Sequence, residues 1–66
     1  MESYRIISPE LGNLTGYSDR GPVFRKQNGG KPVLYSELER ACSHAVLCRR
    51  MGYSVRILDG NGKEVG

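Results

Sequence analysis

The 66-residue chain carries ten Lys and Arg against seven Asp and Glu, a net charge of +3, with 38% hydrophobic and 26% charged residues. That balance suits one folded soluble domain over residues 1–66 better than a disordered chain. No apolar run approaches the ~20 residues that span a bilayer, and Glu2, Arg5, Glu10 and Asp19 break up the start of the chain, unlike a signal peptide, so a cytoplasmic location is expected.

Ser3–Ser8 is rich in β-branched and aromatic residues and reads as a strand, with Tyr4 and Ile6 on one face and Arg5 and Ile7 on the other. Pro9 stops it. Residues 9–21, punctuated by Gly12, Gly16 and Gly21, read as a long loop. Asn13-Leu14-Thr15 matches a glycosylation pattern that has no use in a cytosolic chain. Pro22–Gln27 reads as the second strand. Asn28-Gly29-Gly30-Lys31 is a hairpin signal, with Pro32–Tyr35 returning as an edge strand.

Ser36 and Glu39 have the S-x-x-E spacing of a capping box. Glu37 and Glu39 suit the positive end of a helix dipole, and Arg49 and Arg50 its negative end. Gly52 suits the C′ position. Together they predict a helix over 37–51. Tyr53–Leu58 alternates as a third strand, with Tyr53, Val55 and Ile57 on one face. Asp59-Gly60-Asn61-Gly62 is a second hairpin turn, leading into a short strand at Lys63–Val65. The expected fold class is α+β: strand, hairpin, helix, strand and short strand, with one helix packed on one face of a mainly antiparallel sheet. The expected core is Tyr4, Ile6, Phe24, Leu38, Ala41, Cys42, Ala45, Val55 and Ile57.

Projected at ~100° per residue, Leu38, Ala41, Cys42 and Ala45 form the helix's core stripe, flanked by Val46 and Cys48. Leu47 and Met51 stand one turn apart on nearly the opposite side, among Arg40, Ser43, His44 and Arg50. A lone surface helix is expected to be polar there. Either the 9–21 loop covers this pair, or the two are merely singly exposed, as apolar residues often are, or Arg40, His44, Leu47 and Met51 are a contact patch for a protein partner or a second copy of the chain. The flexible, polarizable Met side chain suits an adaptable surface.

Cys42 and Cys48 are ~9 Å apart along such a helix, beyond the roughly 7 Å a disulfide allows, so both read as free thiols. His44 and Cys48 share a helix face at i, i+4 and could join in metal or thiol chemistry, but a structural zinc site needs four ligands and no second ligand pair follows. There is no P-loop, dinucleotide fingerprint or paired carboxylate. With little room for both a core and an enclosed cavity of roughly 300–1,000 Å³, catalysis and a bound cofactor are not expected, nor is a small-molecule substrate or a membrane partner.

The function expected is therefore a small non-catalytic binding module. A phage-type accessory or inhibitor protein would have the same form. The alternative is a nucleic-acid-binding accessory protein, in which Arg25, Lys26, Lys31 and Arg56 contact phosphates beside Tyr4 or Tyr17 as stacking platforms. The simpler reading of these cations is a solvated sheet face whose charges oppose edge-to-edge association.

Overall fold

The computed structural model describes residues 3–26 and 31–65. Its elements are β1 (Arg5–Ser8), β2 (Gly12–Ser18), β3 (Gly21–Arg25), α1 (Leu38–Arg50), β4 (Arg56–Leu58) and β5 (Glu64–Val65). The strands form one antiparallel sheet in the order β3-β2-β1-β4-β5, and α1 packs on one face of it. This is the α+β architecture expected, with five strands as the sequence pattern announces but not the same five: one is added and the expected strand at 32–35 is lost.

The added strand is β2, in the segment read as a loop. Pro9–Leu11 is only a tight turn, with the Leu11 amide donating to Ser8 Oγ at 3.2 Å. Glycines that look like loop punctuation serve a strand here. Gly12 has φ +101°, and a Cβ there would collide with the backbone of Arg25 and Lys26, so only glycine lets β2 leave the turn so close to β3. Leu14, two residues on, is fully buried.

The return strand expected at Pro32–Tyr35 is not a partner of β3, which pairs with β2. Instead this segment fills the fork where β1 and β2 separate. Val33 N–H donates to Leu14 O at 2.9 Å, and Tyr35 exchanges two backbone bonds of 2.8 Å with Tyr4. The Asn28-Gly29-Gly30 part of the expected turn lies outside the described residues.

Helix α1 is one residue shorter at each end than 37–51. The capping box does not form: Glu37 is the N-cap, and no side chain caps the helix. Tyr35 is pinned to Tyr4, and the chain uses Ser36 and Glu37 to turn from that bridge onto the helix, which carries Ser36 out of the capping position. The C-terminus ends as expected. Gly52 has φ +96°, its N–H donates to Arg49 O, and Tyr53 N–H donates to Cys48 O, which is a Schellman closure.

Only Arg56–Leu58 of the third predicted strand joins the sheet; in the register of β1, Val55 falls opposite Ser8, where that strand ends, and Ser54 and Tyr53 fall at and beyond Pro9. Val55 and Ile57 are nonetheless buried together, as the alternation requires. The last hairpin forms. Asp59 Oδ1 accepts from the Asn61 and Lys63 amides, both at 2.9 Å, and β5 pairs with β4.

The buried core is Ile6, Leu14, Tyr35, Ala41, Ala45, Cys48, Val55 and Ile57, with Tyr4, Phe24, Leu38 and Cys42 partly buried against it. Leu14, Tyr35 and Cys48 extend the expected set, and the helix stripe is rotated toward Cys48. A domain this small holds roughly 3–5 kcal/mol of stability, and Leu→Ala at a fully buried site removes about 2–5 kcal/mol. Leu14→Ala is therefore expected to leave the chain largely unfolded by circular dichroism, while Leu11→Ala, at an exposed position in the turn, moves stability by about 0.5 kcal/mol or less.

Candidate functional site

Strand β2 carries a bulge. Leu14 faces Phe24 and Gly16 faces Val23, so Thr15 is an extra residue in the ladder, its hydroxyl donating to Val23 O at 3.3 Å. Side chains alternate between faces along a strand, and one inserted residue exchanges the faces beyond it. Leu14 points into the core. Without the bulge Tyr17 would stand on the outer face of the sheet; with it, Tyr17 stands on the helix side opposite buried Pro22.

There Tyr17 meets α1. Its hydroxyl lies 2.9 Å from His44 Nδ1, the hydroxyl of Tyr35 lies 2.8 Å from the same nitrogen, and the two hydroxyls are 3.4 Å apart. Both phenol rings stand edge-on to the imidazole, with centroids 5.5 and 5.0 Å away. Burial raises the ionisation of Tyr17 and Tyr35 above the ordinary tyrosine value, so both are protonated and can donate at neutral pH. A phenol hydroxyl both donates and accepts, so the roles follow from the imidazole tautomer: with the ring proton on Nε2, the single Nδ1 lone pair accepts from one of the two hydroxyls. The cluster joins β2, the 33–35 segment and the helix.

Cys48, one turn from His44, is 1% exposed, and burial pushes its thiol up from the usual range. A protonated thiol is a poor nucleophile and a poor metal ligand. Among the described residues, no group of three or more His, Cys, Asp or Glu is placed to hold a metal ion. The His44–Cys48 pair is thus built as core and hydrogen-bond structure.

Outward from the cluster lies an apolar surface. Tyr17 is 49% exposed, Leu47 51% and Met51 54%. Leu47 lies one helical turn from both His44 and Met51. The Met51 methyl reaches the β2–β3 turn, where a Cβ on Gly21 would collide with it. Arg40 and Arg50 are exposed on the same side of α1, and Arg20 is exposed in the turn beside Gly21. The β2–β3 hairpin therefore borders the helix patch without covering it. Of the patch residues read from sequence, Arg40, Leu47 and Met51 are open to solvent and His44 is partly sequestered. Tyr17 and Gly21 are additions that only the bulge and hairpin reveal.

The nucleic-acid candidates lie elsewhere. Directly paired residues share a face of a sheet. Asn13 pairs with Arg25, Ile7 with Asn13, and Ile7 with Arg56, so Arg25, Asn13, Ile7 and Arg56 form one row across the face turned away from α1. Lys26 follows Arg25 and is exposed, as is Lys31. Arg56 also meets Glu64 at 3.5 Å, an exposed pair. Tyr4 and Tyr17 are not on this face: Tyr4 packs against the core and Tyr17 against His44. The stacking platforms expected beside the arginines are absent from it. A groove of about 370 Å³ lined by Arg5, Ile7, Asn13 and Pro32 opens instead. The Asn13 Oδ1 is buried with no hydrogen-bond partner among the described residues, a condition that costs about 1–3 kcal/mol until a donor is found.

Among the described residues, no helix is long and apolar enough to cross a membrane. Comparison with protein-family models, with curated proteins and with solved structures finds no match, so function has to be argued from the sites themselves.

Two measurements check the cluster. An aromatic disulfide reagent is expected to titrate Cys42 in the native protein and Cys48 only after unfolding. The raised tyrosine values also set a pH window: the stability they lend is whole below pH 10.0, the ordinary tyrosine value, and is lost as pH rises through the higher folded values. Replacing both with Phe lowers stability at neutral pH and flattens this alkaline loss, as followed by circular dichroism.

Proposed function

We propose that this chain is a small non-catalytic binding module that engages a protein partner through Tyr17, His44, Leu47 and Met51. The observation that carries the reading is the run of half-exposed apolar side chains on α1 and the neighbouring hairpin, held in one place by the tyrosine–histidine cluster. Apolar residues scattered singly over a surface need no explanation, but a contiguous set with a polar rim is characteristic of an interaction site. Tyr, Met and Arg are the residue types enriched at such interfaces. The arginines at 20, 40 and 50 favour a partner carrying carboxylates around its own apolar anchors.

Preorganisation supports the same reading. Tyr17 is fixed by its bond to His44 rather than free to rotate, so less side-chain freedom is lost on association. Homodimerisation is the variant in which the partner is a second copy. It would bring basic rims together, and +3 chains repel weakly at low salt.

The expected consequence is specific. Leu47→Glu/Met51→Glu replaces only half-exposed groups, so the variant keeps the wild-type circular dichroism spectrum and loses partner binding by about tenfold or more, as expected for central interface residues. Light scattering over a concentration series, run in parallel, separates the self-associating case: a dimer that the double variant converts to monomer identifies the second copy as the partner. A folded variant with unchanged mass and unchanged binding refutes the assignment.

A further inference from the structure

We propose that the outer face of the sheet is a second site, for single-stranded nucleic acid, with phosphates held by Arg25 and Arg56 and a base received in the groove between them. It lies on the side of the sheet opposite α1 and stands independently of the helix patch.

The register supplies the spacing. Arg25, Asn13, Ile7 and Arg56 occupy one row across β3, β2, β1 and β4. Neighbouring strands are about 4.8 Å apart, which places the two arginines about 14 Å from one another. A chain of phosphates crossing the strands passes both and runs over Asn13 and Ile7 on the way. Arg5 lines the groove as a third cation, and Lys31, next to groove-lining Pro32, is exposed nearby. Glu64, bonded to Arg56, is the opposing charge. That pair is exposed, with 61% of each side chain open to solvent, so a phosphate can compete for the guanidinium.

The groove itself selects for a base over a bare anion. Ile7 and Pro32 offer apolar walls. Asn13 offers a side-chain amide whose oxygen has no partner among the described residues. Rotation about its terminal torsion, which is broad and soft, turns that amide toward the groove. An amide of this kind meets the amino and ring-nitrogen edge of adenine in a two-bond pairing. Such an edge is open to a protein when the base is unstacked, as in a single strand. A duplex keeps its bases stacked and presents only phosphates to the same arginines.

The test is fluorescence anisotropy at low salt with a labelled oligoadenylate, an oligouridylate and a duplex of equal length, with poly-glutamate as an acidic polypeptide. The single strands are expected to bind and the duplex to bind more weakly. Arg25→Gln/Arg56→Gln is expected to weaken binding about tenfold and to lower the salt slope by about 1–2. Arg40→Gln/Arg50→Gln, on the helix, removes the same charge and is expected to change little. Asn13→Ala is expected to erase the preference for oligoadenylate while leaving the salt slope intact.

Amide shifts of the wild-type protein on adding oligoadenylate, which need no variant to fold, are expected at Arg5, Ile7, Asn13, Arg25 and Arg56. The proposal is overturned by no binding at low salt or by equal losses in the two arginine pairs. It is equally overturned by poly-glutamate binding as tightly as the single strands, which would assign the face to an acidic protein, or by shifts confined to α1.

Discussion

Thr15, one extra residue in β2, decides on which side of the sheet Tyr17 stands, and much else depends on that. The bulge turns Tyr17 toward α1, where its hydroxyl joins that of Tyr35 on His44 Nδ1. Those bonds close the flank of the helix that carries His44 and Cys48, which is why Cys48 is buried and Val46, on the other flank, is not. They also set the β2–β3 turn beside Met51, so that the apolar patch has a border. The same shift leaves the outer face without aromatic residues in β2, where Asn13 and its neighbours line an open groove. A bulge thus divides the molecule into two chemically different sides.

The buried face of the helix is itself a constraint. Ala41, Ala45 and Cys48 are short side chains, and they can fill a core only if α1 lies close on the sheet. Bulk comes from the other side, through Ile6, Leu14, Ile57 and Tyr35. Close approach brings the His44 ring within hydrogen-bonding distance of phenols rooted in two other segments. Burial raises the ionisation of both phenols and of the thiol beside them, which keeps all three protonated at neutral pH. The cluster's hydrogen bonds position Tyr17, Tyr35 and His44 against one another.

The two proposed binding surfaces, on opposite sides of the sheet, suit a small chain. A domain with one thin core has no volume for a deep enclosed cavity, but both of its layers present a surface. The helix side offers apolar anchors with arginines at the rim. The sheet side offers arginines with a groove between them. The first favours dehydration of a complementary protein surface; the second favours salt-sensitive contact with phosphates. Their different dependence on salt makes the two separable in one preparation.

Much of this was legible from residue order alone. Helix α1 followed from its period, its charge placement and Gly52. The buried alternation of Val55 and Ile57 and the Asp59–Gly62 turn followed from local chemistry. The outward pair Leu47 and Met51 followed from helix geometry. These features depend on residues within a few positions of each other. Strand β2 was not legible, because Gly12 and Gly16 look like loop residues until the backbone of β3 is seen against Gly12. The capping box at Ser36 and Glu39 was lost to a constraint from Tyr4, more than thirty residues away. The fork filled by Val33 and Tyr35, the face taken by Tyr17 and the row joining Arg25 to Arg56 were set by strand register. Register is a property of segments paired across the fold, and a bulge of one residue reverses its consequences. Local sequence therefore determined the helix, the alternation along β1, β3 and β4 and the last turn, and only the tertiary pairing decided that β2 forms, how much of each segment joins the sheet and which side chains share a surface.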